Sequence, residues 1–194
     1  MPRPLDDYRR RRDTERSGEP PAKKGSRDDD KPIFVIQKHD ASNLHYDFRL
    51  EVEGVLKSWA VPKGPSTDPR DKRLAMPTDD HPLDYADFEG VIPEGEYGAG
   101  TVLIWDRGPY RLIEEDDDTP SMAEQLKRGH AKFWLEGKKL AGGYALTRTG
   151  SGDDERWLLV KMDDDKADAR RNPVSTEPES VASGRGLKAI AEER

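Results

Sequence analysis

The sequence predicts a small, mainly antiparallel β domain, a barrel or a sandwich, carried between two disordered tails. Three features point there. The middle of the chain is a series of short segments with two-residue apolar alternation and turn residues between them, and helical periodicity is almost absent from it. Both ends have few apolar residues. Apolar residues make up 32% and charged residues 38% of the 194, which supports one packed core but not a core spread over the whole length.

Residues 1–31 hold Arg9 to Arg12, Pro20-Pro21, Lys23-Lys24 and Asp28 to Asp30. They read as a disordered, mostly basic arm, because they cannot bury enough surface to fold alone. The domain proper spans 32–162. Its predicted strands are Ile33 to Lys38, His45 to Glu53, Val55 to Val61, Thr101 to Asp106, Ala131 to Glu136, Lys139 to Thr147 and Arg156 to Met162. Glu53-Gly54 suits a tight hairpin turn, and Gly142-Gly143 a bulge or a close backbone approach. A short helix is predicted at Ser121 to Lys127, with Ser121 as cap, Glu124 three residues on and Gly129 as stop. Residues 163–194 read as a disordered or weakly helical tail, with a short helix at Gly186 to Glu193.

Composition narrows the chemistry. With no cysteine, disulfides, thiolate metal sites and cysteine nucleophiles are excluded, and a metal must use His, Asp, Glu or water. No apolar run has the length of a signal peptide or a membrane span, so a cytoplasmic protein without membrane contact is expected; a monomer is expected as well. The net charge of −7 counts against extended, sequence-blind DNA binding. The acidic runs, however, lie outside the stretch that holds Lys38, Arg49, Lys57, Lys63, Arg70, Lys72 and Arg73, which fits a locally basic cleft.

On a strand, side chains two apart share a face. His45, Asp47 and Arg49 therefore line one side of the second strand, and Tyr46, Phe48 and Leu50 line the other. With His39 on the preceding strand end, His45 and Asp47 can hold a divalent ion and leave positions open. Arg49 beside it suits a phosphate or carboxylate oxygen. Each residue alone is as easily structural; three of the four histidines falling in this segment or the next motif favours a site. That motif is Asp79-Asp80-His81-Pro82-Leu83-Asp84-Tyr85. Pro82 holds His81 extended, so its imidazole is presented for hydrogen bonding or proton transfer, and Tyr85 offers a neutral donor or a core aromatic. The glycine-rich Ile92 to Gly100 lacks the context of a nucleotide cradle and is read as structural.

Taken together, Gln37 to Ala41, Leu44 to Glu51, Lys57 to Pro65, Asp80 to Tyr85 and Ile92 to Gly95 closely resemble the 3′-phosphoesterase module of bacterial DNA ligase D, in the family's order. The resemblance covers about Ile33 to Met162. It implies a compact β-barrel with an active-site groove and a manganese-stimulated enzyme acting on primer-template 3′ ends. Such an enzyme removes a terminal 3′ ribonucleoside and then the 3′-phosphate. Carried over by position, it implies His39, His45 and Asp47 as metal ligands, for Mn2+ before Zn2+, Co2+ or another divalent ion. Arg49, His81 and Tyr85 become the residues that engage the scissile phosphate, and Lys63 and Arg73 further basic positions on the groove. Implied partners are nucleic-acid 3′ ends and a DNA ligase or end-binding repair protein, the chain being a stand-alone version or a piece of a larger one.

Two rivals stand beside this reading. An iron- and oxoglutarate-dependent oxygenase would use His45, Asp47 and His130 with Arg148 on the co-substrate, but it leaves His39, Arg49 and His81 without roles. A non-catalytic DNA-end-binding module would have no use for three ligands and a phosphate fork.

Overall fold

The computed structural model describes residues 3–23, 25 and 31–193. Nine strands pair in one antiparallel sheet: β1 (Ile33–Asp40), β2 (Leu44–Val52), β3 (Val55–Val61), β4 (Arg73–Pro82), β5 (Gly90–Ile92), β6 (Gly100–Leu112), β7 (His130–Glu136), β8 (Ala141–Arg148) and β9 (Trp157–Lys161). The order runs β1, β2, β3, β4, β9, β8, β7, β6, and pairing of β1 with β6 closes these eight into a barrel, with β5 added on β6. Closure satisfies every ladder and leaves no open edge among the eight, and it decides between the barrel and the sandwich.

The inward face of each strand builds one core: Phe34 and Ile36 from β1, Tyr46, Phe48 and Leu50 from β2, and Phe133, Leu146 and Leu159 from the far wall. The β2–β3 hairpin turns on Glu53 and Gly54, both at positive φ (51° and 83°), as a two-residue turn with the right twist requires. Helix α3 (Met122–Arg128) starts with Ser121 accepting from the Glu124 backbone and ends at Gly129 with φ 86°, as its sequence predicts. Gly142 and Gly143 lie in unbroken pairing with β7. A Cβ on Gly142 would stand 2.7 Å from Lys166 Cβ, so they mark a close approach and not a bulge.

Two strands escape the pattern. Pro77 interrupts β4, and its register with β3 shifts so that Asp79 and Asp80 together oppose Lys57. This bulge sets His81 on the outer face of the wall, where it is buried. β5 is only three residues long and has no room for alternation.

The ends carry more structure than the expected disordered arm and disordered or weakly helical tail, although a short helix does form within the expected Gly186 to Glu193. In the arm, helices α1 (Asp6–Arg11) and α2 (Thr14–Ser17) lie on the outside of the barrel. There Leu5 and Tyr8 join Val35, Leu56, Leu83, Tyr85 and Ile104 in a second apolar cluster. Residues 1, 2, 24 and 26–30, part of the same expected arm, lie outside the described residues. At the other end, α4 (Pro173–Thr176) and α5 (Leu187–Ala191) bring Val174, Leu187 and Ile190 onto the barrel core. The Trp105 indole donates to the Glu177 carbonyl at 2.9 Å, and the Lys139 ammonium donates to the carbonyls of Glu177 and Glu179. A handful of apolar residues suffices because the barrel supplies the partner surface that the tails lack. No helix among the described residues is long and apolar enough to cross a membrane.

Candidate active site

The second apolar cluster floors a groove on the outer wall of the barrel, and the outward faces of β1, β2 and β4 point into it. β1 and β2 pair with His39 opposite His45 and Gln37 opposite Asp47, which sets two histidines and a carboxylate side by side. One candidate ligand atom from each of His39, His45 and Asp47 lies within 4.8 Å of the others. Asp47 Oδ2 is 3.2 Å from His45 Nε2, 3.5 Å from His39 Nδ1 and 3.6 Å from the Arg49 guanidinium.

The outward ring nitrogens are held by the main chain: His39 Nε2 is 2.7 Å from the Gly98 carbonyl and His45 Nδ1 2.9 Å from the Asn43 carbonyl. A carbonyl can only accept, so each imidazole donates away from Asp47 and keeps a lone pair on the side where the three converge. This is the arrangement that metal-binding histidines use, and it uses nitrogen and oxygen donors alone. The residues therefore fit a divalent ion. Burial works to raise the Asp47 pKa, but Arg49 and the two histidines outweigh it and hold the carboxyl far below its ordinary range. For His45, burial disfavours the charged ring; the hydrogen bond and charge of Asp47, with the Asn43 carbonyl, outweigh that and raise its pKa.

Arg49 is buried and fixed on all sides. It donates to Gln37 Oε1 at 2.7 Å and Ser58 Oγ at 2.9 Å, and stands 3.1 Å from His81 Nδ1. Its guanidinium lies 4.9 Å from the centre of the Tyr85 ring. His81 Nδ1 is 2.7 Å from the Asp79 carbonyl, and its Nε2 is 3.3 Å from Arg12. Burial, with Arg49 and Arg12 beside it, holds the His81 pKa well below its ordinary value, so the ring is neutral at pH 7. Tyr85 donates its hydroxyl to Glu19 at 2.6 Å. Burial and Glu19 raise its pKa well above 10, which keeps it a phenol. The arm thus engages the donor that the sequence offered to a phosphate.

Arg12 enters from the arm. It bonds Glu19 at 3.1 Å, approaches Asp79 at 3.7 Å and lies over the Tyr8 and Tyr97 rings at 4.3 and 5.0 Å. One of its guanidinium nitrogens, Nη1, is buried without a hydrogen-bond partner, 3.7 Å from Asp79 Oδ2. Arg12, His39, His45, Asp47, Arg49 and His81 together line a cavity of about 260 Å3.

Residues 37–148 match the family model of the DNA ligase D 3′-phosphoesterase domain. The chain belongs to that family. Its relatives include the multifunctional non-homologous end joining protein LigD of Pseudomonas aeruginosa, 48% identical over 189 residues, which cover 95% of this chain and 22% of that protein. The corresponding DNA repair protein of Mycobacterium tuberculosis is 46% identical over 159 residues, 82% of this chain and 20% of its own length. That of Mycolicibacterium smegmatis is 42% identical over 166 residues, 84% and 21%. The chain therefore spans about a fifth of the proteins it matches. The family is one of phosphoesterases, hydrolases of phosphate esters.

Within this 3′-phosphoesterase fold, the structure brings together His39, His45, Asp47, Arg49, His81 and Tyr85. It leaves out two of the expected basic residues: Lys63 is exposed in the turn after β3, and Arg73, at the start of β4, pairs with Asp71 at 3.6 Å. Neither lines the cavity. His130 sits on β7, 2.9 Å from Thr147 Oγ1, and Arg148 lies against Trp157, so the ligand set of the oxygenase reading is not assembled. Sequence reasoning missed Arg12, Glu19, Gln37, Ser58 and Asp79. Arg12 is the last of four consecutive arginines, and nothing in that run singles it out.

Proposed function

We propose that this chain is a metal-dependent phosphoesterase that heals the 3′ ends of DNA strands before ligation, removing a terminal 3′ ribonucleoside and a 3′-phosphate. The supporting observation is the convergence of three histidines, the Asp47 and Asp79 carboxylates and two guanidiniums on a single small cavity. His39, His45 and Asp47 hold the ion, manganese in preference to zinc or cobalt. When bound, it supplies Lewis acidity toward the phosphate ester.

The protein's own residues do the rest. Arg49, held by Gln37 and Ser58, presents a fixed fork to a phosphate oxygen, so little ordering cost remains when the substrate arrives. Arg12 offers its unpartnered donor to a second oxygen. His81, neutral as it stands and with its Nδ1 on the Asp79 carbonyl, gives up its contact with Arg12 as the phosphate enters, and its Nε2 lone pair then accepts a hydrogen bond from the attacking water. Tyr85 acts through position: its ring supports Arg49 and its hydroxyl anchors Glu19, which in turn aligns Arg12. The substrates are nucleic-acid 3′ ends, and a DNA ligase or end-binding repair protein is the partner that would use the product.

The test is incubation of a labelled primer-template ending in one ribonucleotide, and of another ending in a 3′-phosphate, with the purified protein and manganese or chelator. Manganese-dependent processing that is lost in His45→Ala is expected. Firm end binding without turnover on either substrate would replace this reading by a non-catalytic end-binding module.

A further inference from the structure

A second cavity, of about 770 Å3, adjoins the first and shares Ala41 and Ile92 with it. We propose that it receives the 3′-terminal nucleoside of the strand, the part that departs when the scissile phosphate is held by Arg49 and Arg12. This rests on the phosphoesterase reading above and deepens it.

The lining decides what can enter. Val91, Ile92 and Pro93 offer an apolar surface for a base, and Asp40 and Glu94 offer carboxylates that accept from sugar hydroxyls and exocyclic amines, while the third carboxylate, Glu193, pairs with Arg185. No lysine or arginine is among the described residues of that lining. A polyphosphate strand would meet Asp40 and Glu94 there with no cation in the lining to offset them. The terminal nucleoside is the one portion of a strand with no phosphate beyond it. The guanidiniums of the arm lie elsewhere: Arg12 lines the smaller cavity and not the larger, and Arg11 stacks on Tyr97, 5.5 Å from the ring centre. Strand body and terminal nucleoside are thus sorted to different surfaces by charge.

The wall is also rigid. β6 begins so close to the β1 end that a Cβ on Gly100 would stand 2.2 Å from the Asp40 carbonyl oxygen, which fixes the floor of the cavity relative to His39. The volume suits a nucleoside with room for water.

Ser42 and Glu94 line this cavity, lie outside the metal cluster and are exposed, so an added side chain there fills space without entering a core. Ser42→Trp and Glu94→Trp are each expected to lower kcat/KM for removal of a terminal ribonucleoside by about tenfold or more, a loss of binding realised with that substrate alone. Removal of a 3′-phosphate, which has no nucleoside at that place, should stay within about twofold of the parent. Equal loss on both substrates would mean that the cavity holds the strand body, and no loss on either would mean that it is unused; each overturns the proposal. A parent protein inert on both substrates would instead sink the underlying phosphoesterase reading.

Discussion

Asp47 is a buried carboxylate on which Arg49, His39 and His45 converge, and this makes neighbouring candidate ligands unequal under substitution. Removing Asp47 leaves Arg49 buried without its counter-charge, so Asp47→Ala should cost about 3–5 kcal/mol of stability as well as activity. His45 is half-buried and has no such dependent, so His45→Ala should abolish activity with a change of about 1 kcal/mol or less. Urea unfolding of the two variants beside the parent checks both. His81 gives the pH dependence. Its folded pKa is depressed by burial, Arg49 and Arg12, so below the ordinary value of about 6.5 the unfolded chain binds a proton that the folded chain refuses. Stability is therefore unaffected above that pH and falls as the pH drops through and below it. His81→Asn should flatten the decline between about pH 6.5 and 5; an unchanged slope would show that the ring is not held neutral.

Among the elements, the arm is the one whose role the sequence conceals most. It is docked by Leu5 and Tyr8, by the Tyr8 hydroxyl on the Pro20 carbonyl (2.5 Å) and by Tyr85 on Glu19, and it carries Arg12 into the cavity. Tyr8→Ala should remove about 3–5 kcal/mol of docking. The arm would then become open to protease while the barrel stays folded, and activity would fall with it; limited proteolysis and turnover on the same sample read both. The short loop between β1 and β2 places Asn43 to fix His45, and the loop after β5 places Gly98 to fix His39. In this way segments that read as mere connections orient the ligands.

At the scale of the whole molecule, two apolar clusters divide the labour. The barrel interior carries stability, while the outer cluster between arm and wall carries the site's geometry. The C-terminal tail belongs to the first. A chain ending at Met162 would lose Val174, Leu187 and Ile190 from the core and leave the Trp105 indole and the Lys139 ammonium without their carbonyl partners. It should lose more than about 3 kcal/mol, seen as a lower urea midpoint; an unchanged midpoint would make the tail dispensable.

The amino-acid sequence by itself determined the pieces governed by short-range rules. These are the alternating faces of β1 and β2, the Glu53-Gly54 hairpin, the capped helix α3, and the clustering of His39, His45 and Asp47, near enough in the chain for strand period to align them. It did not show β4, because Pro77 and a bulge break the period that identifies a strand. Nor did it show that the ends fold, since a few apolar residues acquire value only against a surface made elsewhere. Arg12 meets a histidine 69 residues away, and Glu19 a tyrosine 66 residues away. Only closure of the barrel and docking of the arm on its outer wall bring such groups together, because burial in a shared cluster, and no local preference, decides which distant side chains become neighbours.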